Sequence, residues 1–177
     1  MAQFDEILKD ELNNYGREAS KIDLSIEVLR VPLKSVDAAQ APTLPRGASV
    51  ADAVKLIQQP GNSCVVVTGE DGKLVGLITE RDLCTRVITT GLDLDKATVD
   101  DVMTTEPMTL RNDQPLTHAL AQMDVGGYRH VPLVDKEGRP AGVITARRVI
   151  NYIVEFFPEE VRALPPRQMN PARRHGG

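Results

Sequence analysis

Tryptophan is absent from the 177-residue chain, and aromatic residues make up only 3% of it. A surface that binds single-stranded nucleic acid by stacking its bases needs aromatic side chains, so the composition disfavours this class of protein. The 25 acidic residues outnumber the 21 basic ones, giving a net charge of −4. A general electrostatic nucleic-acid binder is expected to be basic. The composition therefore argues against a nucleic-acid partner.

Cysteine and long apolar runs are also scarce. The two cysteines, Cys64 and Cys84, form no Cys-x-x-Cys pair, and the three histidines lack the spacing of metal ligands. No apolar run approaches the roughly 20 residues that a membrane helix needs. The acidic first residues lack the order of a signal peptide. We therefore expect reduced thiols, no metal site, no contact with a membrane and a cytoplasmic location.

The chain does contain an internal repeat. When the sequence is shifted by 66 positions, two segments of about 50 residues align without a gap and share eleven identical residues. Matches that hold one register over this length, including the loop glycines, indicate a duplication. The identical pairs include Thr43 with Thr109, Gly61 with Gly127, Gly76 with Gly142, Thr79 with Thr145, and Arg81 with Arg147.

Each copy carries the same order of predicted elements. A short strand is followed by a helix with one apolar face, then by two strands joined by a glycine-containing turn, and then by a second helix. Ser49 and Asp113 are the candidate caps of the first helix in the two copies. One such unit has too small a core to fold alone. The sequence therefore predicts an α+β fold in which two β-α-β-β-α repeats pack about a pseudo-two-fold axis.

These patterns divide the chain into four parts. Residues 1–32 form an N-terminal extension, predicted as a helix followed by a strand, because apolar residues first share one helical face and then alternate with polar ones. Residues 33–95 and 96–157 are the two repeats. Residues 158–177 are a proline-rich tail, which we expect to be solvated and partly disordered.

Three stretches resemble a known family: Asp101–Thr104, Gly127–Asp135 and Gly76–Leu83. At their duplicated spacing they resemble the cystathionine-beta-synthase (CBS) domain, over residues 33–157, and the chain looks like a bacterial stand-alone CBS-pair protein. The resemblance implies a Bateman module, the disc formed by two CBS repeats, which is often a homodimer. It also implies an adenosine-containing ligand between the repeats and signalling to a partner protein instead of catalysis.

Thr79 and Asp82 match the family's ribose-binding motif, Ser/Thr-x-x-Asp. The resemblance implies that the Asp82 carboxylate accepts from ribose hydroxyls. The Thr79 hydroxyl would donate to a phosphate, which the start of the following helix also favours. The residues alone leave a second interpretation, in which Thr79 or Asp82 only caps that helix. Arg86, one turn further on, either pairs with Asp82 or faces the phosphate.

The second copy departs from this motif. Arg148 stands at the position of Asp82, and an arginine cannot accept a ribose hydroxyl. We therefore predict one good site per chain. Arg147 or Arg148 either reaches a phosphate in the first site or lies on the surface at the start of a helix.

The remaining candidates follow by matching positions to the family. Thr43 is expected near the base or ribose of the first site, and residues 62–65 are expected to form its wall. Arg129 and His130 occupy the matching wall in the second copy, where His130 either contacts phosphate or has a structural role. The candidate ligand-binding residues are Thr43, Asn62, Ser63, Cys64, Val65, Thr79, Arg81, Asp82, Arg129, His130, Thr145, Arg147 and Arg148.

We therefore predict a non-catalytic regulatory module that binds an adenine nucleotide and senses the energy state of the cell. AMP, ADP or ATP is the expected ligand, the resemblance also admits S-adenosylmethionine and NAD(H), and no cofactor is required. The expected partners are a second copy of the chain and an effector protein. The alternative is a ligand-independent dimerisation or scaffold module, since the second copy lacks the carboxylate. An enzyme is disfavoured because the chain has no nucleophile motif, phosphate loop or metal cluster.

Overall fold

The computed structural model describes residues 29–94 and 96–156. The predicted N-terminal helix and strand and the proline-rich tail lie outside the described residues. The first repeat contains β1 (Thr43–Pro45), α1 (Val50–Ile57), β2 (Cys64–Thr68), β3 (Leu74–Thr79) and α2 (Glu80–Asp82), which continues as a π-helical stretch (Leu83–Ile88). After α3 (Val99–Val102) and β4 (Thr104–Thr105), the second repeat contains β5 (Leu110–Arg111), α4 (Leu116–Val125), β6 (His130–Val134), β7 (Pro140–Thr145) and α5 (Ala146–Glu155).

The starts of α1 and α4 are stabilised in different ways. The Ser49 hydroxyl accepts a hydrogen bond from the first turn of α1 at 3.1 Å, so the predicted cap is confirmed. The predicted Asp113 cap of α4 is wrong, because Pro115 occupies the N-cap position. The backbone N–H of Leu116 instead donates to the Val31 carbonyl at 2.8 Å. A chain segment that precedes the first repeat thus satisfies a helix in the second.

The strands form two sheets, one in each repeat. In the first sheet, with order β1-β2-β3-β4, β1 is parallel to β2 and the other neighbours are antiparallel. The second sheet has order β5-β6-β7 with the same pairing of its strands. Beside β7, Ala39 exchanges two backbone hydrogen bonds of 2.9 Å with Val143. This pairing corresponds to that of β4 with β3 in the first sheet.

The first segments of the two repeats are therefore exchanged between them. Residues 33–39, the first exchanged segment, pack on the second repeat, and residues 99–105, the second exchanged segment, pack on the first. Gly76 and Gly142 lie where these segments approach the sheets. A Cβ at Gly76 would lie 2.2 Å from the Met103 sulfur, and one at Gly142 would lie 3.2 Å from the Ala38 Cβ. This close approach explains why both copies have glycine here.

Each repeat has its own apolar core, and a third cluster lies between the sheets. Leu33 and Val36 are buried in the second core, while Val99 and Val102 are buried in the first. Leu33 is fully buried, which contributes roughly 1.5–3 kcal/mol relative to an exposed leucine. The cluster between the sheets contains Cys64, Val66, Leu77 and Val143. The predicted α+β fold with two packed repeats is confirmed, and the exchanged segments hold the repeats together.

Candidate functional site

A cleft of about 490 Å³, hereafter the first cleft, lies between the two repeats. The lining residues come from the end of β3 and the start of α2 (79–82), from β4 and the residues after it (104–108), and from the loop that leads into β6 (127–130). The cleft thus combines the closing motif of the first repeat with a wall of the second. Its volume is in the range of small-molecule sites.

The Asp82 carboxylate serves two purposes in this cleft. Its Oδ2 atom accepts hydrogen bonds from the Thr79 N–H at 2.9 Å and from the Thr79 hydroxyl at 2.6 Å, which caps α2. Its Oδ1 atom lies 3.5 Å from the Thr104 hydroxyl and 3.6 Å from Arg86 Nε, in the cleft that all these residues line. The capping interpretation is therefore correct for Oδ2, while Oδ1 is the acceptor that remains for a ligand.

This arrangement alters the predicted role of Thr79. Its hydroxyl donates its one proton to Asp82, so the hydroxyl does not donate to a phosphate at the same time. The positively charged groups that line the cleft are arginines. Arg81, Arg86 and Arg129 line it, together with three acidic residues, Glu80, Asp82 and Glu106.

Arg86 joins Asp82 to the second exchanged segment. Besides its 3.6 Å ion pair with Asp82, its Nη1 atom donates to the carbonyl oxygens of Val102 at 2.9 Å and Met103 at 2.5 Å. The π-helical stretch that carries Arg86 has a wider turn than an α-helix, a feature frequent at functional sites. The Arg86 side chain thus contacts both the Asp82 carboxylate and the backbone of the second exchanged segment.

His130 lies at the junction between the two walls. Its Nε2 atom and the Ser63 hydroxyl oxygen are 2.8 Å apart and share a hydrogen bond. Burial lowers the pKa of His130, and the negative charge of Glu80 opposes this effect. The ring is therefore neutral near pH 7, so its contribution to the cleft is a hydrogen bond and not a charge.

The structure does not bring the predicted wall of the first repeat to the first cleft. Thr43 lies in β1, Val65 is fully buried in β2, and Asn62 donates to a carbonyl of α1 at 2.8 Å. Cys64 is buried between the sheets. Ser63 does not line the cleft, but it shares a hydrogen bond with His130, which does. The first cleft uses the equivalents of these positions in the second repeat, residues 127–130.

The three candidates of the second copy also lie outside the lining of the first cleft. Thr145 is the N-cap of α5, and its hydroxyl accepts from the Arg148 N–H at 3.3 Å. Arg147 is exposed. The Arg148 guanidinium donates to the carbonyl of Asp37 at 2.7 Å and forms an ion pair with its carboxylate.

Several residues of the first cleft were not predicted from the sequence. Thr104 and Glu106 line its floor, and Met108 and Tyr128 are apolar lining residues that are 51% and 47% exposed. Thr104 and Tyr128 lie in stretches that carry the family resemblance, and the signal for Glu106 and Met108 is their position in the repeat. The position in the repeat becomes informative once the exchange of segments is known. The exchange brings residues 127–130 of the second repeat beside residues 79–82 of the first.

Two duplicated α+β units with exchanged segments and a polar cleft between them define a tandem-repeat module. The chain belongs to the CBS-domain family, whose model matches residues 33–89 and 99–155. Proteins with CBS domains are generally regulatory. The similar proteins come from archaea, a plant, a yeast and bacteria, so a specifically bacterial type is not supported.

Individual relatives support the same fold. An uncharacterised protein of Methanopyrus kandleri, MK0525, is 30% identical over 60% of this chain and 56% of its own length. The chain thus spans about half of that relative, and only about a fifth of a plant CBS protein that it matches. The CBS domain protein PAE2072 of Pyrobaculum aerophilum, solved with AMP, has 22% identity and a TM-score of 0.64, covering 72% of this chain and 99% of that one. The CBS pair of protein MJ0100, solved with 5′-methylthioadenosine and S-adenosyl-L-methionine, has 24% identity and a TM-score of 0.63, covering 72% and 98%.

Two further properties concern the described residues only. Within residues 29–94 and 96–156, no helix is both long enough and apolar enough to cross a membrane. The same residues contain no group of three or more His, Cys, Asp or Glu side chains that would hold a metal ion.

Proposed function

We propose that the chain is a non-catalytic regulatory module that binds an adenosine-containing ligand in the first cleft and signals to a partner protein. The observation that carries the proposal is Asp82, a residue that is only 9% exposed and whose carboxylate keeps Oδ1 at the cleft while Oδ2 caps α2. A ribose hydroxyl donates well to such an acceptor. The related CBS pairs solved with AMP and with S-adenosyl-L-methionine support this ligand class.

The rest of the cleft suits the other parts of a nucleotide. The planar base would lie between Met108 and Tyr128, which line the cleft and expose apolar surface. The phosphates would lie beside Arg81, Arg86 and Arg129, since guanidinium groups bind phosphate oxygens in pairs. This distribution favours AMP, ADP or ATP over ligands without phosphate, with S-adenosylmethionine and NAD(H) as further candidates.

Signalling would proceed through the second exchanged segment. A phosphate that attracts Arg86 competes with the carbonyls of Val102 and Met103, which this side chain now contacts. The ligand would shift the equilibrium between two arrangements of the segment by as much as it binds one of them better. The effector would read this change in the cytoplasm, where we expect the protein to act.

The test is thermal melting of ligand-free protein with AMP, ADP, ATP, S-adenosylmethionine or NADH. A ligand at about 100 times its Kd adds about 2.7 kcal/mol of stability, which raises Tm by about 5–10 °C in a chain of this size. Asp82→Ala should lower the affinity about 10–100-fold, because it removes charge-assisted hydrogen bonds. Failure of all five ligands to raise the Tm of folded, empty protein would contradict the proposal.

Asp101→Ala is the matched control. Thr98 and Asp101 form the same capping box at α3, with distances of 2.8 Å from the Thr98 N–H and 2.9 Å from its hydroxyl, and neither residue lines the first cleft. Each alanine variant should lose about 0.5–2 kcal/mol of stability through its cap. Only Asp82→Ala should also lose the ligand. Equal loss of affinity in both variants would show that the effect is global.

A ligand-independent scaffold is the second candidate function. It is favoured by the fully bonded Thr79–Asp82 box, which is stable without a ligand, and by the arginine in the second copy. Under this candidate, Asp82→Ala would leave partner binding unchanged, and none of the five ligands would raise Tm.

A further inference from the structure

One hydrogen bond at the wall of the first cleft joins the two repeats. The Ser63 hydroxyl oxygen, in the loop before β2, lies 2.8 Å from the His130 Nε2 atom at the start of β6. His130 lines the first cleft, whereas Ser63 does not. A residue of the first repeat therefore holds a ring that the second repeat contributes to the ligand position.

This pair of groups suits a ring that changes its protonation state. A serine hydroxyl can donate to a bare ring nitrogen and accept from a protonated one, so the hydrogen bond persists in both states. Among the described residues, only the Nε2 atom of the ring has a hydrogen-bond partner. The Nδ1 atom therefore remains for a ligand, and in the imidazolium it is a donor.

The ring lies among charged groups of both signs. Burial is the largest cause of the lowered pKa of His130, while the nearby acids raise this pKa and the nearby arginines lower it. Thr145, which pairs with His130 in the sheet, and Ser63 are uncharged. The charged groups are Glu80, Arg81 and Asp82 of α2, and Arg129 next to the ring in the chain.

A bound phosphate would change this balance. Arg81 and Arg129 are two of the three arginines beside which we place the phosphates, so a phosphate there also lies near the ring. Its negative charge favours the imidazolium, and its pairing with the arginines weakens their effect on the ring. Both effects raise the pKa of His130, in the direction opposite to burial.

We propose that His130 binds a phosphate of the nucleotide as an imidazolium, that the first cleft thereby takes up a proton with its ligand, and that Ser63 positions the ring. The inference rests on the proposed function, since it describes the regulation of the same site. The proton comes from the solvent. Cys64 stands 66 residues before His130, and burial keeps its thiol protonated, so the uptake is one proton per chain.

The direction of the pH dependence follows from this difference between the free and bound states. Because the complex holds the proton more tightly, the affinity is highest below the pKa of the free ring. It declines as the pH rises through the pKa of the ring in the complex. We expect His130 to make nucleotide binding about 3–10-fold tighter at about pH 5.5 than at about pH 8.

Titration calorimetry with AMP, ADP and ATP in turn, at both pH values, tests this expectation. His130→Gln keeps a polar side chain that cannot become charged, so comparison with the native chain cancels the titration of the nucleotide's own phosphate. This variant should lose the 3–10-fold effect. The matched control, His118→Gln, should keep it, because His118 is exposed on α4 and does not line the cleft.

The outcomes separate the inference from the proposed function. Equal pH dependence in the native chain and in His130→Gln would overturn the inference while the first site stands. Binding of S-adenosylmethionine alone would do the same, because that ligand has no phosphate. If none of the adenosine-containing ligands binds at either pH, the proposed function fails and the inference fails with it.

Nuclear magnetic resonance of the ring protons tests the inference without substituting the ring. The pKa of His130 should rise on saturation with the nucleotide that binds most tightly, and adenosine, which lacks a phosphate, should not raise it. His118 should titrate identically with and without nucleotide. A pKa of His130 that stays constant or falls would overturn the inference. Ser63→Ala should reduce the rise and Ser63→Thr, which keeps the hydroxyl, should retain it; a full rise in Ser63→Ala would exclude the positioning role.

Discussion

At the scale of single residues, the two cysteines lie in opposite environments. Cys64 is 4% exposed in β2, and burial raises its pKa to about 12, with a further contribution from the negative charge of Glu80. Cys84 is exposed on the π-helical stretch. Since the thiolate is the reactive form, the two thiols should differ strongly in reactivity.

In protein dilute enough to be monomeric, we expect one thiol per folded chain to react rapidly with a disulfide reagent at about pH 8, followed by a second only on unfolding. Cys84→Ser should remove the rapid reaction, and Cys64→Ser should keep it. Quantifying the released chromophore in native and denatured protein checks this. Two rapidly reacting thiols in the native chain would mean that the contact between the sheets opens readily.

The sequence predicts single residues well when their partners are close in the chain. Thr79 and Asp82 are three positions apart, so both a cap and a ligand site were foreseeable. The partner of Arg148 was not, because Asp37 lies 111 residues away and nothing in the local pattern marks it. The different contacts of the two Asp82 oxygens could not be predicted either, since they depend on side-chain orientation.

At the scale of elements, each exchanged segment contributes core residues to the other repeat: residues 33–39 to the second core and residues 99–105 to the first. The sequence predicted the strands and helices of each copy from their periodicity. It did not predict the exchange, because the two copies have the same pattern of apolar residues, so either segment could pack on either core. For the same reason, it assigned residues 62–65 to the first cleft, where the structure has residues 127–130.

Leu33 tests the contribution of the first exchanged segment. It is fully buried in the second core, so Leu33→Ala should destabilise the chain by about 2–5 kcal/mol. Leu94→Ala is the control, because Leu94 is 38% exposed and should lose much less. Denaturant unfolding followed by circular dichroism measures both. Similar, small effects of the two substitutions would show that the segment does not belong to the core.

At the scale of the whole molecule, the repeat places similar residues on the outside of both closing helices. Cys84 and Ile88 correspond by the 66-residue shift to Ile150 and Val154. Ile88 is 74% exposed and Ile150 is 60% exposed. Paired apolar residues on two symmetry-related helices suit a second copy of the chain, because a two-fold interface uses the same patch on both subunits.

We therefore expect the native chain to sediment as a homodimer and I88E/I150E to sediment as a monomer. Val125→Glu is the control, because Val125 is 88% exposed at the end of α4, away from the closing helices. Analytical ultracentrifugation at several concentrations separates these outcomes. A native monomer at every concentration, or a dimer that survives both charges, would place the interface elsewhere or exclude it.

The exchange of segments also bears on how such a chain could arise. A chain with only one such repeat would have an unpaired sheet edge and an incomplete core, because its own first segment packs on the other repeat. Two separate chains would each supply the piece that the other lacks, as in a swapped dimer. Fusion of the two genes would then convert an intermolecular partnership into an intramolecular one. After fusion, each copy would be free to change independently, so that an acid, Asp82, can stand in one copy where the other has an arginine, Arg148.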